Sequence, residues 1–98
     1  MLYMIFGQDA PNAGAARATH RPAHLERLKA LHAQGRIALV GPLPAIDAPS
    51  LEAGVTGSLI VAEFETLDAA RAWIDSDPYN QAGVYASVEV RPFYPVKL

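Results

Sequence analysis

Four strand-like runs and two amphipathic helical segments, in the order β-α-β-β-α-β along 98 residues, predict an α+β domain of the ferredoxin-like type. In that arrangement a four-stranded antiparallel sheet is covered on one face by the helices. The apolar fraction of 51% is enough for one modest core without disulfide or metal staples, so residues 1–98 are expected to form a single domain. No internal repeat or low-complexity stretch divides the chain.

The first strand is Leu2 to Phe6, an unbroken apolar run that ends at Gly7 and reads as covered on both faces. Gln8 to Ala18 contains Asp9, Pro11, Asn12 and Gly14 without periodicity and reads as a loop, helical at most near its end, that delivers Arg17 to the first helix. That helix is expected from about Thr19, a possible cap, to Gly35, with Pro22 confined to its first turn because proline lacks an N–H. Arg36 to Leu43 is rich in β-branched and apolar residues and ends in a Gly-Pro break, which makes it the second strand. Pro44 to Thr56 has no usable period and is placed as a pocket lid.

Gly57 to Glu65 is the third strand, with Ser58, Ile60, Ala62 and Phe64 on one side and Leu59, Val61 and Glu63 on the other. Thr66 caps a second helix whose core stripe is Leu67, Ala70, Trp73 and Ile74, and Pro78 ends it at or just before Asp77. A short turn through Tyr79 to Ala82 and Gly83 leads into the last strand, Val84 to Phe93. There Val84, Ala86, Val88 and Val90 form an apolar face opposite Tyr85, Ser87, Glu89 and Arg91. Two helices cover only one sheet face, yet the first and third strands are apolar on both sides, which predicts a homodimer joined through the sheets.

Composition excludes several classes of function. With no Cys there is neither a disulfide nor thiol chemistry, which fits a cytoplasmic address. A net charge of −2 without any basic run gives no footprint for nucleic acid. The opening MLYMIF is too short for a membrane span, which needs roughly 20 apolar residues. The GxSxG, GxxxxGK[ST], HExxH and GxGxxG templates are all missing.

The chemistry-bearing residues gather on the first helix. At 3.6 residues per turn His24 shares the inward stripe of Leu25, Leu28 and Leu31, with His20 and Arg21 on or near it, while Glu26, Lys29, Ala33 and Gln34 face away. A histidine there is either a core residue bonded to a backbone carbonyl or a working acid/base. The second role needs a partner, and Asp77 is the candidate, since it ends the helix expected to pack beside the first and a carboxylate fixes an imidazole's tautomer. Asp77 could equally be a turn initiator that accepts from nearby backbone N–H groups. A metal held by His20, His24 and Asp77 is a weaker alternative on composition alone.

Arg21 and Arg17 could grip a substrate carboxylate in bidentate fashion, although such residues more often pair with a neighbouring acid. Ser58 opens the third strand with no base beside it in sequence and joins them as a substrate-binding candidate. Tyr3, Tyr79 and Tyr85 could line a pocket, and His32 is assigned no role.

RPAHL at Arg21 to Leu25, GPL at Gly41 to Leu43 and DPYNQAG at Asp77 to Gly83, in that order, together with QDAP and Arg17, closely resemble the YciI-like family, or YCII-related domain, over nearly the whole chain. The resemblance implies a fold of the dimeric α/β-barrel type, in which facing sheets enclose a cavity, and activity through a His and Asp pair that falls on His24 and Asp77. It also implies kinship with dehalogenases of chlorinated lactones from aromatic ring cleavage. The central loop departs most from the shared pattern. The reading is of a small dimeric enzyme without a required cofactor or metal. His24, oriented by Asp77, would move a proton on a small polar or carboxylated molecule in a lyase, isomerase or dehalogenase reaction. Its rival is a non-catalytic ligand-binding or accessory protein.

Overall fold

The computed structural model describes residues 1–98. Its elements are β1 (Leu2–Asp9), α1 (Gly14–Ala33), β2 (Ile37–Pro44), β3 (Val55–Glu63), α2 (Leu67–Asp75), α3 (Pro78–Gln81) and β4 (Tyr85–Phe93). The strands form one antiparallel four-stranded sheet in the order β2-β3-β1-β4, the ferredoxin-like α+β arrangement and the subunit architecture of the dimeric α/β-barrel type.

The registers decide which residues meet the helices. Tyr3, Ile5 and Gly7 of β1 stand opposite Ala62, Ile60 and Ser58 of β3, and on the other side opposite Pro92, Val90 and Val88 of β4. Tyr3, Ile5, Ile60, Ala62 and Val90 belong to the buried core, which Leu28 and Leu31 of α1 and Ala70 and Ile74 of α2 close from above. The opposite sheet face holds Leu2, Met4 and Phe6 beside Leu59 and Val61, with Leu39 and Phe93 at its flanks. This second apolar face is not covered within the chain: Leu39 is 52% and Phe93 42% exposed, and Met4, Phe6 and Leu59 are half-buried.

Three local departures from the sequence expectation each have a physical cause. The first helix begins at Gly14 rather than near Thr19, without a side-chain cap, and carries Pro22 in its interior rather than its first turn. The missing Pro22 N–H deprives the Ala18 carbonyl of its helical donor, which would normally kink or end a helix. Here both flanking turns are held from outside, Arg17 by Asp9 and Ser58 before the proline and His24 by Asp77 after it. The expected stop is where it was placed: Gly35 has φ of 69°, its N–H bonds the His32 carbonyl, and the Arg36 N–H bonds that of Leu31, the Schellman pattern.

The second departure is the segment expected to be a turn after Asp77. It is a one-turn helix, α3, with Asp77 as its cap and Pro78 at its first position, where proline costs nothing. α2 ends earlier, at Asp75, after starting as expected on Thr66, whose hydroxyl accepts from the Ala69 N–H at 3.0 Å.

The third is in β4. Gln8 pairs with Ser87 but Asp9 with Tyr85, so Ala86 is the extra residue of a bulge. The bulge reverses side-chain parity at that end of the strand: Ala86 is exposed and Tyr85, expected on the outer face, is turned inward and 7% exposed. Its ring occupies the space above Gly7, where a Cβ would come within 2.6 Å of it. Burial pushes the Tyr85 phenol up to about 12, with Ser58 and Arg17 pulling the other way.

Two outcomes follow from this packing. Gly7→Ala must displace the Tyr85 ring and is expected to lower the unfolding free energy by about 1–3 kcal/mol in urea titrations. Because Tyr85 keeps its proton in the folded chain above the ordinary phenol value near 10, the unfolded chain releases that proton first. Stability therefore falls as pH rises from near 10 towards about 12, and in Tyr85→Phe this alkaline loss is expected to be shallower in the same titrations.

Candidate functional site

The helical stripe and the α3 cap bring His24 and Asp77 together across 53 residues of sequence. His24 Nδ1 lies 2.7 Å from Asp77 Oδ2, with His24 5% and Asp77 0% exposed. A carboxylate offers only acceptors, so Nδ1 carries the hydrogen and donates it, which leaves Nε2 as the ring's free acceptor. The Asp77 oxygens are fully engaged. Oδ2 also accepts from the Tyr79 N–H at 3.0 Å, and Oδ1 accepts from Arg27 Nη1 at 2.9 Å. Both readings open at the sequence level thus hold at once: Asp77 is a turn-initiating cap and the partner of an inward-facing histidine.

The Tyr79 ring stacks on the imidazole at 3.9 Å between centroids and 13° between planes, closing one face of His24. Arg27 is anchored from three directions: it donates also to the Trp73 carbonyl and to Ser76 Oγ, and its guanidinium lies 4.4 Å from the centre of the Trp73 ring.

A second polar group stands beside this one. Arg17 grips Asp9 in bidentate fashion, Nε to Oδ2 at 2.6 Å and Nη2 to Oδ1 at 2.8 Å, and Nη2 also donates to Ser58 Oγ at 2.9 Å. Burial works against the Arg17 cation, but the paired Asp9 carboxylate outweighs it and holds the guanidinium proton more tightly than usual. Burial also raises the Tyr79 phenol, while Arg17 and Arg21 pull it back. Arg17, Arg21, His24, Ser58 and Tyr79 line a cavity of about 360 Å³ whose remaining wall is mainly apolar, from Leu25 and Leu28 of α1, Val40 and Pro42 of β2, and Leu51 and Val55. Leu51 is the contribution of the central connection expected to act as a lid.

All five residues singled out in the sequence therefore reach one region: His24 and Asp77 in contact, with Arg17, Arg21 and Ser58 on the cavity wall. Two expectations are corrected. Arg17 sits in the first turn of α1, not on a loop, where one edge of its guanidinium, Nε and Nη2, pairs with Asp9. Asp77 reaches His24 as the cap of α3, which packs on α1, rather than as the end of the second helix. The three-ligand alternative does not assemble, since no group of three His, Cys, Asp or Glu side chains converges on a common point. His32 is exposed.

Sequence reasoning missed Arg27, Asp9 and the stacking of Tyr79. Arg27 was within reach, because it lies one turn from His24 on the same face. The Tyr79 position depends on α3, which four residues with a proline do not announce.

A family model for the YCII-related domain matches residues 1–94. Protein YciI of Escherichia coli O6:H1 is 52% identical over 94 residues, covering 95% of this chain and 96% of that protein. A Haemophilus influenzae protein is 54% identical over 95 residues, with 95% and 96% covered. Among solved structures, the 5-chloro-2-hydroxyhydroquinone dehydrochlorinase of Burkholderia phenoliruptrix, in complex with 2,5-dihydroxybenzoquinone, superposes with a TM-score of 0.86 at 28% identity, covering 96% of this chain and 94% of the enzyme. An Agrobacterium tumefaciens protein shares the fold alone, at a TM-score of 0.54 and 14% identity. The match along nearly the full chain, and identities above half with two bacterial relatives, place this protein in the YCII-related, or YciI-like, family.

Proposed function

We propose that this protein is a small dimeric enzyme in which the His24–Asp77 pair performs general acid/base chemistry on a small, polar or anionic organic molecule. The reading rests chiefly on one observation, a histidine held by a fully buried carboxylate at the wall of a cavity. Asp77 fixes the ring through Nδ1–H, and Nε2 takes a proton from substrate and returns it to product or leaving group. The 360 Å³ cavity suits a molecule of small-ring size. Arg21 has no salt-bridge partner and is the cation available for a substrate anion, whereas Arg17 is neutralised by Asp9.

The likeness to a dehydrochlorinase supports elimination or isomerisation of an activated ring compound, in which proton removal precedes loss of a leaving group. No required cofactor or metal enters this scheme, and a cytoplasmic setting accords with a chain that lacks Cys. No helix is long and apolar enough to cross a membrane.

Nitrogen-15 NMR of the His24 ring tests the pair. The wild-type ring is expected to report a single Nδ1–H tautomer, and 2,5-dihydroxybenzoquinone to move the Nε2 resonance. In Asp77→Asn the tautomer preference is expected to be lost. His24→Gln is expected to slow proton exchange from keto acids and unsaturated lactones in D2O by about 10²–10⁴-fold. An equal tautomer mixture in the wild type, or exchange indifferent to His24, sinks the proposal. For assembly, the apolar sheet face predicts a dimer at micromolar concentration by analytical ultracentrifugation. Leu39→Glu, a change at an exposed position, is expected to shift it to monomer without loss of fold.

A further inference from the structure

Ser58 is a serine whose surroundings determine what its hydroxyl does. It lies on the helix-facing side of β3, is 6% exposed and lines the same cavity as His24. Its oxygen accepts from Arg17 Nη2 at 2.9 Å, and Arg17 is pinned in that position by both oxygens of Asp9. A hydroxyl has one hydrogen to give, and the group beside this one that could take it within the fold is the Tyr85 hydroxyl, which has a hydrogen of its own to give in return. Beside it the Tyr85 hydroxyl is fully buried and has no well-formed hydrogen bond, with Ser58 its nearest polar neighbour, turned into this corner by the β4 bulge and the bare Cα of Gly7. The corner is thus rich in donors and short of acceptors: the Ser58 and Tyr85 hydroxyls carry two hydrogens, of which at most one is used between them, and the Asp9 carboxylate is already paired with Arg17.

We infer that the Ser58 hydroxyl is the donor that receives a substrate oxygen across the cavity from His24, with Arg17 and Tyr85 as positioning residues behind it. This rests on the reading of His24 as the proton carrier and specifies the substrate class: a carbonyl compound with an acidic hydrogen on the adjacent carbon and one anionic group for Arg21. Nε2 of His24 removes the C–H proton, the C–H electron pair forms the carbon–carbon double bond, and the carbonyl π pair moves onto oxygen. Ser58 donates to that enolate oxygen, which carries more charge than the starting carbonyl and so accepts more strongly, the condition for a contact to accelerate the step. The arrangement is electrostatic and preorganised: Arg17 withdraws charge from the Ser58 oxygen, which makes its hydrogen a better donor.

Pyruvate is the smallest probe with all three features. Its affinity is read by NMR titration, its C2 carbonyl stretch by infrared difference with [2-13C]pyruvate, and its methyl exchange in D2O by proton NMR. Wild-type protein is expected to bind it, lower the carbonyl stretch and exchange the methyl protons. Ser58→Ala is expected to weaken binding by about tenfold, abolish the carbonyl shift and slow exchange by about 10²-fold. Ser58→Cys, which keeps the shape with a weak donor, guards against loss of the Arg17 seat and is expected to fall between the two. Tyr85→Phe is expected to reduce the carbonyl shift without removing it. His24→Gln is expected to lose exchange but keep the carbonyl shift. That last pattern separates the two ideas: a shift without exchange in the wild type defeats the His24 reading alone. Exchange without a shift, a shift that survives Ser58→Ala, or no binding of pyruvate at all overturns the assignment of Ser58.

Discussion

The buried carboxylate of Asp77 is the constraint around which this end of the molecule is built. A carboxylate with no exposed surface is tolerable only if donors replace the water it has lost, and three do so: the His24 ring, the Arg27 guanidinium and the Tyr79 backbone N–H. Each donor comes from a defined element. His24 and Arg27 are one turn apart on α1, and the N–H belongs to the first turn of the helix that Asp77 itself caps. Removing one partner from such a buried charge costs on the order of 3–5 kcal/mol, so the carboxylate fixes how α1 and α3 meet. The same contacts that secure that packing also fix the tautomer of His24, so in this region stability and chemistry have a common origin.

That coupling explains how a long helix survives an internal proline. Pro22 removes a backbone hydrogen bond midway between Arg17 and His24, and the helix on each side is held by side chains that reach outside it. The proline also falls where α1 borders the cavity, between Ala18 and Arg21 on one side and His24 on the other. The polar residues of α1 therefore do structural duty in the turns where backbone bonding is weakest.

Most of the architecture was legible in the sequence because it rests on periodicity. The alternation of β1 and β3, the leucine stripe, the Thr66 cap and the Gly35 stop each act over a few residues and match the structure. The meeting of His24 and Asp77 was legible too, one as a histidine on an apolar stripe and the other from its place at the end of the helical region expected beside the first helix, and then from a family motif. What escaped depends on contacts between distant segments. No local signal tells that Pro22 will be tolerated, since the compensation lies in Asp9, Ser58 and Asp77. Nor does alternation reveal a bulge: one extra residue at Ala86 reversed the predicted face of Tyr85, and only the register with β1 exposes it. That Arg17 pairs with an acid is an expectation the sequence allows, but not that the acid is Asp9, which belongs to a strand whose apolar pattern ends three residues earlier, at Phe6.

The distribution of charge around the cavity follows from the same details. Three arginines of α1 lie within two turns of His24, and two form ion pairs, Arg17 with Asp9 and Arg27 with Asp77. Arg21 alone forms no ion pair, so the wall presents one uncompensated cation set among leucine, valine and proline side chains. Arg21 is exposed, so water solvates it where no acid does. The same economy applies to hydrogen bonds: Asp77 takes His24 Nδ1 and leaves Nε2, and Arg17 takes the oxygen of Ser58 rather than its hydrogen. What the fold leaves unpaired on this wall is therefore as much a product of its packing as what it pairs: Arg21 and His24 Nε2 remain because Asp9 and Asp77 are taken up by Arg17, Arg27 and His24 Nδ1.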